Sequence, residues 1–291
     1  MIIMTNVPVT YVFVGSDENA LRHLFPEFAA NGAENIVLTD QLISAVMCKY
    51  SFADVIRKYL DLTGLRFVDS HAPFGPGIDL NCPIAEARRN LVLRHKLALN
   101  IAADFGVDTM TIHIGNDSRF PDVPLEKQLE FVRAGLDELL PEAEKCGIVI
   151  CIENIWSRIN TPDRLLEIKS HFDTPYLGFC YDAGHANLMT NGRNYPDGAA
   201  NKWWNMFGET PDWDDPILEK MLPHVVNCHL HDNSGEEDRH MLCGKGTVDW
   251  KKVSSLLKTA PCLKNIQCEA ISLWSNASIR ELVESTNAAL N

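Results

Sequence analysis

The sequence predicts an α/β fold, a single (β/α)8 barrel, on three observations: eight short β-rich runs, a helical pattern after each, and no linker dividing the chain. The strand candidates are 10–14, 35–38, 65–69, 109–113, 148–153, 177–181, 225–229 and 265–269. Of the intervening helical patterns, 84–105 and 125–146 are the longest. The second begins beside Pro124, spaces its apolar residues at three and four, and stops at Gly147, while Pro141 inside it predicts a kink or a division. At 291 residues the repeat averages about 36 residues, close to the unit of a roughly 250-residue barrel with insertions. One domain spanning 1–291 is therefore expected, not two ordinary ones.

Composition agrees. Hydrophobic residues are 46% and charged residues 22%, enough for a large core and far from disorder, collagen or a coiled coil. Nine cysteines, an odd number, are scattered without a Cys-x-x-Cys pair, and several sit in apolar runs. That excludes a disulfide framework and points to a reducing cytoplasm. The apolar opening, residues 1–14, has no basic leader or small-residue cleavage pattern and reads as the first strand. No run approaches 18 apolar residues, so no membrane span is expected. Within 186–216, after the sixth strand, an insertion carries Trp203, Trp204, Phe207 and Trp213 before a helix is expected to resume. Long loops of this kind are lids or binding loops, with a homo-oligomer contact as the alternative.

In a barrel of this class the active site lies at the carboxyl ends of the strands, so the residue type there is the test. Strand three ends at His71, strand four at His113, and strand five at Glu153. Strand six ends at Asp182 with His185 three residues on, strand seven at His229 in Cys228-His229-Leu230-His231-Asp232, and strand eight at Glu269. One histidine after a strand is ordinarily a structural residue; six consecutive strand ends bearing imidazole or carboxylate are a constellation. Gathering several carboxylates in one cleft costs desolvation and repulsion, which a divalent cation offsets. A His, Asp and Glu set without cysteine suits zinc, manganese, cobalt or iron, with zinc or manganese foremost. The cysteines beside the proposed ligands are not counted, because strand alternation turns Cys228 and Cys268 away from the faces of His229 and Glu269.

Beyond strand seven, Asp238 and His240 are spaced to grip one ion from the same side. Gly244-Lys245-Gly246 then allows a close backbone approach to a ligand.

These motifs resemble the xylose isomerase-like TIM barrels, a superfamily of sugar isomerases, sugar and sugar-phosphate epimerases, inosose dehydratases and endonuclease IV. The resemblance runs through Ile152-Glu153-Asn154, Tyr181-Asp182-Ala183-Gly184-His185, His229-Leu230-His231-Asp232, Asp238-Arg239-His240 and Glu269, in the family's order. The epimerase branch implies one divalent cation on Glu153, Asp182, His229 and Glu269, with the two glutamates also transferring protons. Endonuclease IV, with three zinc ions, implies a wider set that adds His71, His113, His185, Asp238 and His240. The segment His71-Ala72-Pro73-Phe74-Gly75 looks more like the isomerase branch, and no match to the nuclease's DNA-inserting loop is evident. The arginine that ketose epimerases place after the strand-seven histidine is missing at that spacing.

The expected function is thus a metal-dependent isomerase or epimerase of a sugar or sugar phosphate, using one ion, with two or three as the alternative. Glu153, Glu269 and His185 are the expected catalytic residues. Phe74, Trp156, Trp203, Trp204, His231 and Lys245 are expected around a small carbohydrate substrate. The alternative is a multinuclear zinc phosphodiesterase acting on abasic DNA. A formal charge of −13 counts against a polyanionic partner, since phosphate neutralisation needs surplus Lys and Arg.

Overall fold

The computed structural model describes residues 7–214 and 216–291. Residues 1–6 of the apolar opening, and residue 215 of the insertion, lie outside the described residues. The elements run β1 (Val9–Tyr11), α1 (Glu18–Ala30), β2 (Asn35–Leu38), α2 (Asp40–Cys48), α3 (Phe52–Thr63), β3 (Arg66–His71), α4 (Ala85–Asp104) and β4 (Thr109–Ile112). There follow α5 (Leu125–Cys146), β5 (Val149–Glu153), α6 (Pro162–Ser170), β6 (Leu177–Asp182), α7 (Ala183–Thr190), α8 (Ala199–Asn205) and α9 (Ile217–Met221). The chain ends with β7 (Val225–Leu230), α10 (Trp250–Leu257), β8 (Asn265–Cys268) and α11 (Ile279–Leu290).

All eight strands pair in parallel with their sequence neighbours, and β1 closes on β8, so the sheet is a closed barrel. Strands β4 to β8 are buried along their whole length, as a parallel sheet covered by helices on one face and by its own interior on the other must be. Register fixes the site. Asp182 pairs with His229, which sets these two at one level, while Glu153 pairs with Cys180, two residues earlier on the same face of β6. No described helix is long and apolar enough to cross a membrane.

Three expectations change. Helix α5 runs unbroken from 125 to 146 through Pro141, and β2 is followed by two helices. The insertion is not one long loop: α7 starts directly after β6, with Asp182 as its N-cap accepting from the backbone N–H of His185 at 2.6 Å. Helix α8 then carries Trp203 and Trp204. All residues of α7 from Ala183 to Met189 are buried, so it lacks the one-sided apolar stripe that marks a helix in sequence.

The barrel interior below the site is unusually polar. Branched apolar side chains usually fill this volume, but here the buried Asp69 accepts from Thr109 Oγ1 at 2.6 Å and from Asn227 Nδ2 at 2.9 Å. Asn227 Nδ2 also donates to Thr111 Oγ1 at 3.3 Å, and Asn265 Nδ2 to Thr109 Oγ1 at 2.8 Å. The buried donors are thereby satisfied from strand to strand.

Candidate metal centre

The strand ends converge as the sequence indicates. His229 Nδ1 lies 2.7 Å from Glu153 Oε1, 3.3 Å from Glu269 Oε2 and 3.8 Å from Asp182 Oδ2. One donor atom from each of Glu153, Asp182, His229 and Glu269 falls within 4.8 Å of every other. Two further groups adjoin this one. His113 Nε2 is 3.0 Å from Glu153 Oε2, with His71 beside it. Asp238 reaches His240 Nε2 at 3.1 Å, His185 Nε2 at 3.4 Å and His231 Nε2 at 3.7 Å.

Several of these side chains are held from behind. Asn154 brackets Asp182 by accepting from its N–H (2.8 Å) and donating to its carbonyl (3.0 Å). Gln267 Nε2 donates to Glu269 Oε1 at 3.2 Å. Three histidines donate from Nδ1 to main-chain carbonyls: His71 to Ala72 at 2.8 Å, His185 to Asn154 at 3.0 Å, and His240 to Glu269 at 2.9 Å. Their Nε2 atoms are thus turned to the site, those of His185 and His240 toward Asp238. His240 has φ 44°, a left-handed backbone unusual for a residue with a Cβ, and its two ring contacts hold it there.

Electrostatics is what such a cluster dictates. Burial alone would raise Glu153 and Glu269, but His229 beside both, with His113 on Glu153 and His240 on Glu269, holds each well below the usual carboxylate range. Burial likewise opposes charge on His185 and His229. Asp182 and Asp238 around His185, and Glu269 and Glu153 around His229, nonetheless raise both rings well above their ordinary value. His71 goes the other way: burial and then His113 push it down to about 4.

The residues fit a divalent cation. Glu153 Oε1, Glu153 Oε2, His229 Nδ1 and Asp238 Oδ1 are buried yet make no hydrogen bond of acceptable geometry, although carboxylate and imidazole lie in contact. Buried polar atoms are otherwise almost always bonded. Oxygen and nitrogen donors turned inward without partners are what a cation would satisfy.

The centre opens into a cavity of about 550 Å³, within the range of small-molecule sites. Trp156 and Trp203 stack on one wall at 4.5 Å and 28°. Phe74, 48% exposed, stands against His113 at 4.5 Å on the other. His185 lies on this surface, as do Glu153, Glu269, Asp238, His240, His71 and His113.

Three expected substrate residues are elsewhere. Trp204 is buried core, its Nε1 donating to the Trp156 carbonyl at 2.9 Å, and it braces the wall without forming it. His231 is completely buried, 3.1 Å from Asp182 Oδ2, and stacks on His240 at 4.1 Å. It is packed so tightly against the first turn of α7 that a Cβ on Gly184 would stand 2.0 Å from its ring. Lys245 is exposed and does not line the cavity. Its flanking segment wraps a protein group, not a ligand: Asp232 collects the N–H of Gly244 (2.9 Å), of Val248 (3.1 Å) and the indole of Trp250 (2.9 Å).

Cys180 also departs from expectation. It lies two residues before Asp182, hence on the same face, and its sulfur comes within 4.8 Å of donor atoms of Glu153 and His229. Burial raises its thiol well above the ordinary range, so it is a neutral neighbour. Sequence reasoning missed the cavity's polar rim that follows β2, β3 and β4, namely Asp40 at the start of α2, Asp79 and Arg119, and also missed Trp274 after β8. No periodic signal marks them.

Known proteins share this architecture. The "Uncharacterized protein MJ1311" of Methanocaldococcus jannaschii is 26% identical over 221 residues, covering 74% of this chain and 66% of that protein. The chain thus spans about two thirds of that relative's length. A solved D-tagatose 3-epimerase-like protein superposes with a TM-score of 0.74 at 20% identity, over 97% of this chain and 95% of that one. The IOLI protein, solved with a binding zinc atom, gives a TM-score of 0.69 at 14% identity over 98% of both chains. At these identities the likeness to solved structures establishes a common fold. A family model described as xylose isomerase-like TIM barrel matches residues 28–285, and the chain belongs to that family.

Proposed function

We propose that this protein is a divalent-metal-dependent isomerase or epimerase acting on a sugar or sugar phosphate, moving a proton at a carbon next to a carbonyl. The observation that carries the reading is the convergence of Glu153 and Glu269 on one imidazole nitrogen at the floor of a carbohydrate-sized cavity. Glu153, Asp182, His229 and Glu269 would hold a zinc or manganese ion, which when bound polarises the oxygens of an adjacent carbonyl and hydroxyl.

The two glutamates stand at the ends of β5 and β8, separated around the barrel. Their neighbours keep them ionised, so one can accept a carbon-bound proton, and the other, once it has taken a proton from solvent, can deliver it to the opposite face. His185, in the wall with its Nε2 turned inward, orients a substrate hydroxyl. Trp156 and Trp203 present a flat apolar surface to a sugar face. The epimerase-like name of one similar structure and the zinc atom of another support the same reading.

A second reading, a multinuclear zinc phosphodiesterase for abasic DNA, is favoured by one observation: Asp238 draws His185, His231 and His240 into a group beside the first. The surplus of acidic residues, 39 against 26 basic, weighs against it.

The test is incorporation of solvent deuterium at carbon by zinc- or manganese-loaded protein, over a panel of ketoses, aldoses, inososes and their phosphates. Exchange on at least one member is expected. No exchange on any, together with incision of abasic DNA, would overturn the proposal in favour of the second reading.

A further inference from the structure

Four histidines of the centre have a ring nitrogen whose hydrogen-bond partner is fixed, and one of them differs from the rest. In His71, His185 and His240 the partner is a main-chain carbonyl on Nδ1, which forces the proton onto Nδ1 and leaves Nε2 facing the site. His229 is reversed: Nδ1 faces Glu153 and Glu269, and Nε2 faces Thr111 Oγ1 at 3.3 Å. A hydroxyl can donate or accept. Thr111 alone therefore does not fix the His229 tautomer, and what surrounds Thr111 becomes decisive.

That surrounding is the polar column in the barrel interior. Asn227 Oδ1 accepts from the backbone N–H of Cys228 at 2.8 Å, which fixes the orientation of the amide. Both Nδ2 hydrogens are then directed downward and sideways, one to Asp69 Oδ2 (2.9 Å) and one to Thr111 Oγ1 (3.3 Å). Asp69 is itself anchored by Thr109 Oγ1 at 2.6 Å. The column thus holds Thr111 Oγ1 in place with one lone pair engaged by Asn227, and the other lone pair can take an N–H from His229 when the hydroxyl hydrogen turns aside. For His229 Nδ1 to act as a ligand it must carry a lone pair, which requires the proton on Nε2.

We infer that Thr111, held by Asn227 and Asp69, is a positioning residue that accepts the Nε2–H of His229 and so turns its Nδ1 lone pair to the site. It does with a side chain what carbonyls do for the other three histidines. The polar interior of this barrel then has a purpose beyond mutual satisfaction: it is the support of one ligand. The inference rests on the reading that the centre binds a divalent cation.

The experiment is zinc titration of the full-length protein against a chelator, for wild type, Thr111→Val and Thr111→Ser, with the 15N resonances of His229 in the zinc-loaded wild type read in parallel. Valine matches threonine in shape but accepts nothing; serine keeps the oxygen. Thr111→Val should hold zinc roughly 10- to 100-fold more weakly, Thr111→Ser should stay close to wild type, and His229 should show a protonated Nε2. A merely structural hydroxyl would lower the unfolding temperature of Thr111→Val without moving its zinc affinity, and equal affinity of Thr111→Val and wild type overturns the inference. Should Thr111→Val fail to fold, an unprotonated Nε2 in the wild type overturns it instead. Absence of zinc binding by the wild type sinks the metal reading itself, and is recognised because no variant is needed to see it.

Discussion

His229 Nδ1 is in contact with Glu153 Oε1 at 2.7 Å, and both side chains are buried to within 1%. A buried imidazole and carboxylate at that distance without a well-formed hydrogen bond are arranged for a shared third partner. Replacing Glu153 with Gln keeps the volume and removes the charge that faces His229 and His113. Carbon-bound hydrogen exchange should fall by about 10²–10⁴-fold, the usual worth of a positioned acid or base, while thermal unfolding still shows one cooperative transition. Full turnover by Glu153→Gln would mean that the barrel mouth is not the reacting centre.

The number of ions separates the two readings. Asp238 serves His185, His231 and His240 and is absent from the group formed by Glu153, Asp182, His229 and Glu269. With a single ion at the latter group, Asp238→Asn should hold one zinc or manganese per chain by elemental analysis, and so should the wild type. A wild-type content of two or three that drops in the variant would favour the multinuclear phosphodiesterase.

The two adjacent tryptophans of α8 should respond differently. Trp203 stacks on Trp156 at the cavity wall, so Trp203→Ala should raise KM for the sugar with a smaller change in kcat. Trp204 is core and bonded to the Trp156 carbonyl. Trp204→Ala should cost roughly 3–5 kcal/mol of stability, read by urea unfolding.

Much of this centre was legible because a barrel strand obeys a period of two and ends at the site. Glu153, Asp182, His229 and Glu269 are among the six strand ends that counting finds, and the family resemblance singles out these four. What was not legible depends on neighbours in space. Whether Trp203 or Trp204 meets the cavity turns on the rotation of a short helix whose own start was hidden, because α7 is buried on every side. Thr111 and Asn227 look like unremarkable strand residues until the register of β3, β4 and β7 brings them over Asp69. Asp79 and Arg119 reach the rim from the connections after β3 and β4, and Asp40 from the first residue of α2, where no periodicity indicates direction. Gly244 and Gly246 face Asp232, a structural acceptor that nothing in the sequence pattern marks as such.

Lys245 and Gly246 distinguish a structural role of this loop from a ligand-binding one. Lys245 is exposed and away from the cavity, so Lys245→Ala should leave activity and stability unchanged. A Cβ at Gly246 would stand 2.2 Å from the Asn233 carbonyl oxygen and 2.3 Å from Asp232 Oδ1. Gly246→Ala must therefore push the loop away from Asp232, at roughly 1–3 kcal/mol. A drop in KM-derived affinity from Lys245→Ala would restore the loop to the substrate site.

Stability should also weaken in mild acid for a reason remote from the metal centre. His95 on α4 is 1% exposed, its Nε2 donates to the Ile78 carbonyl at 3.0 Å, and burial pushes it down to about 4 from 6.5. In the folded chain the ring stays neutral until the pH approaches 4, whereas in the unfolded chain it takes up a proton near 6.5. The unfolded state therefore binds more protons between these values, and the stability from His95, fully present above 6.5, is lost as the pH falls toward 4. Between pH 7 and pH 5 the loss should be about 2 kcal/mol. Urea unfolding of wild type and His95→Gln at both pH values isolates this contribution from that of the carboxylate clusters, because only the His95 share vanishes in the variant. The wild type should lose about 2 kcal/mol more than the variant over that interval, and parallel losses would show that His95 is not buried neutral in the native barrel.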